Sequence, residues 1–215
     1  MQPNHTYSQY LEDRFRMFLV LQNFYAGRSL KWSVQDWKEI CSSIEAYQLV
    51  SPCQKIANSI DLLQGIQEEE VLSLEYDFNR LFVGPDKLLA SPYESSYRNP
   101  EKTLMQRETL QVREFYSWVG LEVANKGIEP DDHLALELEF ICYLLATHAE
   151  EGFPVEYQEF LEKHLLVWYK QHCECIHNHS ENPICQAMAY LLEGVLEQEQ
   201  ERLLPMRKKG NEADE

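Results

Sequence analysis

A histidine stands among acidic residues in the segment EPDDHLALELEF, which begins at Glu129. His133 could act as a general base, with Asp132 or Glu137 orienting its ring, as acid–base catalysis requires. A helix that begins at Pro130 would instead place both aspartates in its first turn, where free backbone N–H groups and the helix dipole stabilise negative charge. The spacing favours this capping and contact role, and catalysis is the alternative.

No motif elsewhere in the chain supplies the rest of an active site. The sequence lacks a Gly-x-Ser-x-Gly elbow, a phosphate-binding glycine loop, a dinucleotide-binding glycine fingerprint and a His-Glu-x-x-His pair. We therefore predict a protein without catalytic residues and without a cofactor. The enzyme alternative is a small metal-dependent helical hydrolase that uses His133 and Asp132.

Cysteine and histidine residues are concentrated in the segment HCECIHNHSENPIC. Cys173, Cys175, His177 and His179 are of the types that bind zinc, but their spacing differs from that of common structural zinc sites. We expect the end of a helix with partly exposed side chains and no bound metal. The six cysteines lie in helix-like contexts of a chain too large to need disulfides, so we interpret them as reduced thiols.

The composition is strongly acidic. The chain has 19 Lys and Arg residues against 36 Asp and Glu, a formal net charge of −17, which repels nucleic acids and anionic lipids and favours a cationic partner. Acidity could also serve only to keep the protein dissolved. Because neither a bilayer-spanning apolar run nor a secretory signal pattern occurs, we expect a cytoplasmic protein that binds neither nucleic acid nor membranes stably.

Apolar residues recur at intervals of three and four, whereas period-two alternation is rare. The sequence therefore predicts an all-α fold: a single-domain bundle of about eight to ten helices over residues 1–204, with a polar, disordered tail at residues 205–215. Ser33 and Asp36 form a predicted capping box, and Asn99 with Pro100 a predicted helix start. The predicted helices cover approximately residues 7–25, 33–51, 56–65, 68–84, 99–120, 130–150, 154–177 and 182–204, with an ordered loop at 84–98.

Three segments in order resemble the TorD/DmsD/NarJ family of cytoplasmic chaperones that mature molybdenum-containing redox enzymes. They are YDFNRLFVGPDKLLASPYESSY, TLMQRETLQVREFYSWVGLEV and KGIEPDDHLALELEFICYLL. With the later HLLVWYKQHCECI and AMAYLLEGVLEQE, the resemblance covers about residues 70–200. The loop ASPYESSY lacks the tryptophan that several members carry near this point, which leaves the subfamily, and hence the client, open.

The resemblance implies an all-helical, TorD-like and non-enzymatic protein. Its partners would be the apo form of a molybdoenzyme catalytic subunit and the twin-arginine leader peptide of that enzyme, held for cofactor insertion while export is delayed. Carboxylates of the protein would bind the arginines of the peptide, and aromatic rings would contact its apolar residues. The binding residues that the resemblance implies, with Phe82 added as an aromatic contact, are Phe82, Gly84, Pro85, Tyr93, Glu94, Ser95, Tyr97, Glu129, Pro130, Asp132 and His133.

Two further questions stay open at this point. An acidic scaffold that binds a folded redox enzyme would share the same composition, and the connection at residues 84–98 is long enough for helix exchange in a homodimer. If the implied site is correct, we expect Asp132→Ala combined with His133→Ala to leave the fold intact and to weaken client binding.

Overall fold

The computed structural model describes residues 7–85, 87–98, 107–123, 129–148 and 155–211. These residues hold ten α-helices and no β-strand, which confirms the predicted all-α class and the number of helices. Single turns of 3-10 helix at Arg28–Lys31 and π-helix at Asn79–Val83 complete the elements. The α-helices are α1 (Tyr7–Tyr25), α2 (Val34–Val50), α3 (Gln54–Gln64), α4 (Glu68–Phe78), α5 (Ser95–Arg98), α6 (Arg107–Trp118), α7 (Leu134–His148), α8 (Val155–Lys163), α9 (Leu165–His179) and α10 (Pro183–Asn211).

Local signals place several helix ends where the sequence predicts them. Helix α1 has the predicted bounds. The capping box at the start of α2 is present: the backbone N–H of Ser33 donates to Asp36 Oδ2 at 2.7 Å, and the N–H of Asp36 donates to Ser33 Oγ at 3.2 Å. Gly84, with φ of 101°, ends the run that begins with α4, because a left-handed backbone cannot continue a helix.

Three helix boundaries differ from the prediction. The predicted loop at 84–98 contains the short helix α5, and the predicted helix 154–177 is divided at His164 into α8 and α9. Helix α10 continues to Asn211, beyond the predicted end at Leu204. The predicted start at Asn99 and Pro100 lies outside the described residues. The division into a domain of residues 1–204 and a disordered tail of residues 205–215 stays a prediction.

The predicted helix start at Pro130 is also wrong. Residues 130–133 form a turn, in which the His133 N–H donates to the Pro130 carbonyl at 3.1 Å, and α7 begins at Leu134. The Leu134 N–H, which the first turn of a helix leaves free, donates to the Pro92 carbonyl at 2.8 Å. A partner from the preceding loop thus determines where α7 begins.

Helix α10 organises the core by packing against α1, α3, α4 and α9, and α1 also packs against α7. The buried hydrophobic side chains form one continuous cluster. A Cβ atom at Gly194 would lie 2.6 Å from Cγ1 of Ile56 and 3.2 Å from Sγ of Cys53. Glycine at this position therefore allows α3 to cross α10 closely.

A buried ion pair joins three helices of this core. Arg14 of α1 donates from Nε to Glu199 Oε1 at 2.8 Å and from Nη2 to both Glu199 Oε2 and the Tyr157 hydroxyl. The Tyr157 hydroxyl donates to Glu199 Oε2 at 2.9 Å, and Arg202 also pairs with Glu199. Arg14 is fully buried, so the pair fixes α1 and α8 against α10 through charge-assisted hydrogen bonds.

Within the described ranges, every helix is too short or too polar to span a lipid bilayer.

Candidate functional site

The loop before α5 pairs with the turn before α7. Tyr93 and His133 form an isolated antiparallel bridge. The Glu94 N–H donates to the Asp132 carbonyl at 3.1 Å, next to the bond between Leu134 and Pro92. The structure thus brings together two segments that are almost forty residues apart in the chain and that the sequence resemblance marks as a binding surface.

Asp132 holds this junction from the inside. Its Oδ2 accepts a hydrogen bond from the Ser95 N–H at 2.9 Å, and its Oδ1 accepts one from the Thr109 hydroxyl at 2.7 Å. The side chain has no exposed surface. Beside it, Asp131 accepts hydrogen bonds from Arg113, with Nη2 at 2.5 Å and Nε at 3.1 Å. Both aspartates therefore serve loop-to-helix contacts, and neither caps α7 as the sequence predicts.

Glu94 connects the same loop to the break between α8 and α9. Its Oε2 lies 2.7 Å from Nδ1 of His164, and its Oε1 accepts a hydrogen bond from Arg98. Arg98 also donates to the Lys163 carbonyl at 3.0 Å. The His164 side chain is buried against the carboxylate of Glu94, and the carbonyl of Lys163 accepts a hydrogen bond from Arg98. These two contacts explain why the helix divides here.

Tyr93, His133 and Glu129 form the half-buried outer edge of the junction. The Tyr93 hydroxyl donates to Glu129 Oε1 at 2.5 Å, and the rings of Tyr93 and His133 meet edge to face at 5.0 Å. Burial lowers the pKa of His133, although the negative charges of Glu129 and Asp132 act in the opposite direction. His133 Nδ1 accepts a hydrogen bond from the Ala135 N–H at 3.1 Å, so the neutral ring carries its proton on Nε2.

This geometry does not support the hydrolase alternative. The carboxylate of Asp132 is directed at Ser95 and Thr109, and the Nδ1 atom of His133 caps the backbone of α7. In a catalytic arrangement of this type, a third group at hydrogen-bond distance orients the general base. Within the part of the chain that the structure describes, no group of three His, Cys, Asp or Glu side chains is arranged to hold a metal ion.

An acid-rimmed apolar groove opens beside Glu129. Its volume is about 510 Å³. Its floor is apolar and aromatic, and the described part of its lining carries three carboxylates and no Lys or Arg. The residues that line it are Tyr116, Leu121, Glu122, Val123, Glu129, Leu136, Glu139, Phe140 and Tyr143. We call this the acidic groove.

Comparison with protein families identifies the chain at this point. The family model described as "Nitrate reductase delta subunit" matches residues 46–174, which is more than half of the chain. The chain belongs to the nitrate reductase delta subunit family. The predicted resemblance to the TorD/DmsD/NarJ chaperone family is confirmed, because relatives named TorD and DmsD match as well.

Several named chaperones are similar to this family member. The "Probable Tat proofreading chaperone DmsD" of Haemophilus influenzae is 28% identical over 171 residues, which cover 80% of this chain and 75% of that protein. The "Chaperone protein TorD" of Shewanella sp. (strain MR-4) is 29% identical over 172 residues, 79% of each chain. The "Tat proofreading chaperone DmsD" of Salmonella typhi is 30% identical over 132 residues, 61% of this chain and 63% of that protein.

The region that matches the delta subunit family contains the loop, the junction, α7 and the break at His164, whereas α1 and α10 lie outside it. The site residues implied by the resemblance divide into groups within this region. Tyr93, Glu129 and His133 are half-buried at the junction, and Glu94, Ser95, Pro130 and Asp132 are buried beneath it. Of the eleven, Glu129 alone lines the acidic groove.

The remaining site residues lie elsewhere. Phe82 is in the core, where its ring packs edge to face on Phe24 and Phe78. Tyr97 stacks on Trp168 with ring centroids 5.4 Å apart. Gly84 and Pro85 line a separate depression of about 500 Å³ together with Tyr76, Asn79, Arg80, Lys87 and Leu89.

Sequence reasoning missed the groove residues on α7. Leu136, Glu139, Phe140 and Tyr143 follow the i, i+3, i+4, i+7 spacing of one helical face. Because α7 is apolar over most of its circumference, this spacing does not distinguish a groove-lining face from a buried one. Glu139, a glutamate within this apolar face, is the one local signal that could have marked the face as groove-lining.

His172, in the segment rich in cysteine and histidine, has a structural role in this family member. His172 is fully buried, and burial lowers its pKa to about 3. Its Nδ1 lies 3.0 Å from the Ser91 carbonyl and its Nε2 lies 3.1 Å from the Tyr25 hydroxyl, so it joins α9 to the loop and to α1. All six cysteines carry free thiols.

Glu137 is a buried acid close to the junction. Burial, followed by the negative charges of Glu94 and Asp132, raises the pKa of Glu137 well above its usual value. Between its pKa in the unfolded chain and its higher pKa in the folded protein, unfolding releases a proton. The stability contributed by this group therefore falls as the pH rises through that window.

We expect Glu137→Gln to weaken this pH dependence and to be more stable than wild type by about 1–2 kcal/mol near pH 8, since an amide needs no proton to remain neutral. Urea denaturation at about pH 5 and pH 8 measures the effect. Glu139→Gln, at an exposed position of the same helix, is the control. Equal pH dependence in wild type and Glu137→Gln would contradict the assignment.

Proposed function

We propose that this chain is a cytoplasmic, non-enzymatic chaperone that binds the apo form, or the twin-arginine leader peptide, of a molybdenum-cofactor oxidoreductase. It holds the enzyme for cofactor insertion and delays its export. Family membership and the relatives named as DmsD and TorD chaperones support the chaperone activity. The acidic groove is the observation that supports a cationic, apolar peptide as the partner.

The chemistry of the groove matches such a peptide. Glu129 and Glu139 lie at the rim, and Glu139 has no ion pair among the described residues. Carboxylates bind guanidinium groups through charge-assisted, often bidentate hydrogen bonds. The floor of Leu136, Phe140 and Tyr143 offers apolar area to the residues that follow the arginines.

The buried carboxylates have a different role from the one that the resemblance suggests. Glu94 and Asp132 have no exposed surface, so they do not meet the peptide in this conformation. They fix the loop to the turn and thereby position Glu129 and Tyr93 at the end of the groove. Binding follows mass action: the chaperone stabilises the client state that exposes its leader, and release follows when the client folds.

We expect Glu129→Gln combined with Glu139→Gln to bind a synthetic peptide with two adjacent arginines and a following apolar segment about tenfold more weakly, because each substitution removes one charge-assisted contact. Fluorescence anisotropy at two salt concentrations measures the affinity, and added salt should weaken wild-type binding more than variant binding. Glu174→Gln, an exposed and unpaired glutamate of α9 within the described residues, is the control.

Equal affinities of wild type and the double variant would remove the groove from the proposal. A second comparison distinguishes the chaperone from the acidic scaffold alternative. It measures binding of the protein to the apo precursor and to the mature folded enzyme. Preference for the precursor supports the chaperone. Equal or stronger binding of the mature enzyme would contradict it.

A further inference from the structure

A second depression, of about 280 Å³, lies between α1 and α7. The residues that line it are Phe15, Leu19, Gln22, Arg28, Glu139, Cys142, Tyr143 and Ala146. Glu139 and Tyr143 also line the acidic groove. The two depressions therefore adjoin each other at Glu139 and Tyr143 of α7. We call the second one the α1 depression and the two together the track.

The length of the track follows from helix geometry. Leu136, Glu139, Tyr143 and Ala146 lie on one face of α7, and ten residues of helix rise about 15 Å. An extended peptide advances about 3.3 Å per residue, so roughly four to five of its residues would cover this distance. A peptide held at Glu129 and continuing along α7 would thus reach α1 with its next apolar residues.

The charge along the track changes from one end to the other. Glu122 and Glu129 lie at the end formed by the acidic groove, whereas Arg28 lies in the α1 depression, where it is exposed and donates to Gln22 Oε1 at 2.9 Å. The side chains of Leu19 and Phe15 line the same depression as Arg28 and Tyr143. A cationic segment is attracted to the first end, whereas at the second end the charge of Arg28 offsets that of Glu139.

We propose that the track determines how a client peptide lies on the protein, with its cationic residues in the acidic groove at Glu129 and Glu139 and its following apolar residues across Tyr143 onto Leu19 and Phe15 of α1. This inference rests on the proposed function and adds to it a binding surface on a helix outside the region that matches the family. It makes Leu19 and Phe15 determinants of how long an apolar segment the protein accepts.

Peptides of two lengths test the path. Both carry two adjacent arginines; the long one continues with about six leucine and alanine residues and the short one with about two. Leu19→Asn is expected to weaken binding of the long peptide about tenfold in fluorescence anisotropy and to leave the short peptide unchanged, because only the long peptide reaches α1. Leu49→Asn, at a position of α2 that is 84% exposed, is the matched control and should change neither affinity.

Ala146→Arg repeats the test at an exposed position, so a folding defect of Leu19→Asn does not decide the outcome. The same pattern, loss for the long peptide alone, is expected. Unchanged binding of the long peptide, or equal losses for both peptides, would overturn the path across α1 while the proposed function stands. If wild type binds neither peptide, recognition of the leader peptide fails together with the inference, and the comparison of apo precursor with mature enzyme tests the rest of the proposed function.

Light scattering on the same samples tests whether a second copy of the chain, and not a peptide, occupies the α1 depression. A wild-type dimer that Leu19→Asn converts to a monomer, with peptide affinity unchanged, would assign the α1 depression to a second copy of the chain and overturn the proposal. A monomer in both cases, with the expected loss for the long peptide, supports it.

Discussion

Replacing Asp132 with alanine is expected to lower the free energy of unfolding by about 2–4 kcal/mol. The substitution removes the acceptor for the Ser95 N–H and for the Thr109 hydroxyl, and both donors are buried at the junction. A buried donor without a partner costs about 1–3 kcal/mol, and relief of repulsion with Glu94 returns part of this loss. Urea denaturation followed by circular dichroism gives the difference.

Asp132→Asn should cost less, because its side-chain carbonyl still accepts one of the two hydrogen bonds. Asp61→Ala is the matched control, since Asp61 is an exposed residue of α3, and its effect should stay within about 0.5 kcal/mol. If Asp132→Ala were as stable as Asp61→Ala, the assigned network would be wrong. The structure thus replaces the expectation that Asp132→Ala with His133→Ala leaves the fold intact.

This result affects how binding data on Asp132 variants should be interpreted. A loss of peptide affinity in Asp132→Ala would come from displacement of the loop that carries Tyr93, and not from loss of a carboxylate that touches the peptide. Raising stability by a lower temperature should recover part of the affinity of Asp132→Ala. The affinity of the variant with Glu129→Gln and Glu139→Gln should not recover in this way.

Replacing Glu199 with alanine is expected to lower the free energy of unfolding by about 3–5 kcal/mol, the larger of the two effects. The substitution leaves the buried guanidinium of Arg14 without its carboxylate and removes an acceptor from Tyr157. A buried charge that has lost its counter-charge is far more costly than a charge in water. Denaturation in urea at neutral pH measures the loss.

Glu201→Ala, an exposed position on the same helix, is the control for helix propensity and for net charge. The double variant Arg14→Met with Glu199→Leu should recover most of the stability, because well-packed apolar side chains often replace a buried ion pair without loss. Additive losses in the double variant would show that Arg14 and Glu199 are not coupled, contrary to the structure.

The sequence by itself determined the helical class, most helix ends and the family. These properties depend on residues close together in the chain: apolar side chains three and four apart, Ser33 with Asp36, and Gly84 with its positive φ. The segments that carry the family resemblance are likewise short and continuous, so each is recognised from the sequence alone. None of these signals requires knowledge of which side chains meet in space.

Tertiary structure alone decided which acidic residues are available to a partner. Asp132 and Ser95 are 37 residues apart, and Glu94 and His164 are 70 residues apart, yet each pair is joined by a buried hydrogen bond. These contacts make a turn of residues 130–133 and a break at His164 where periodicity predicts helix. The face of α7 that forms the acidic groove was also decided at this level, because an almost entirely apolar helix exposes whichever side its neighbours leave uncovered.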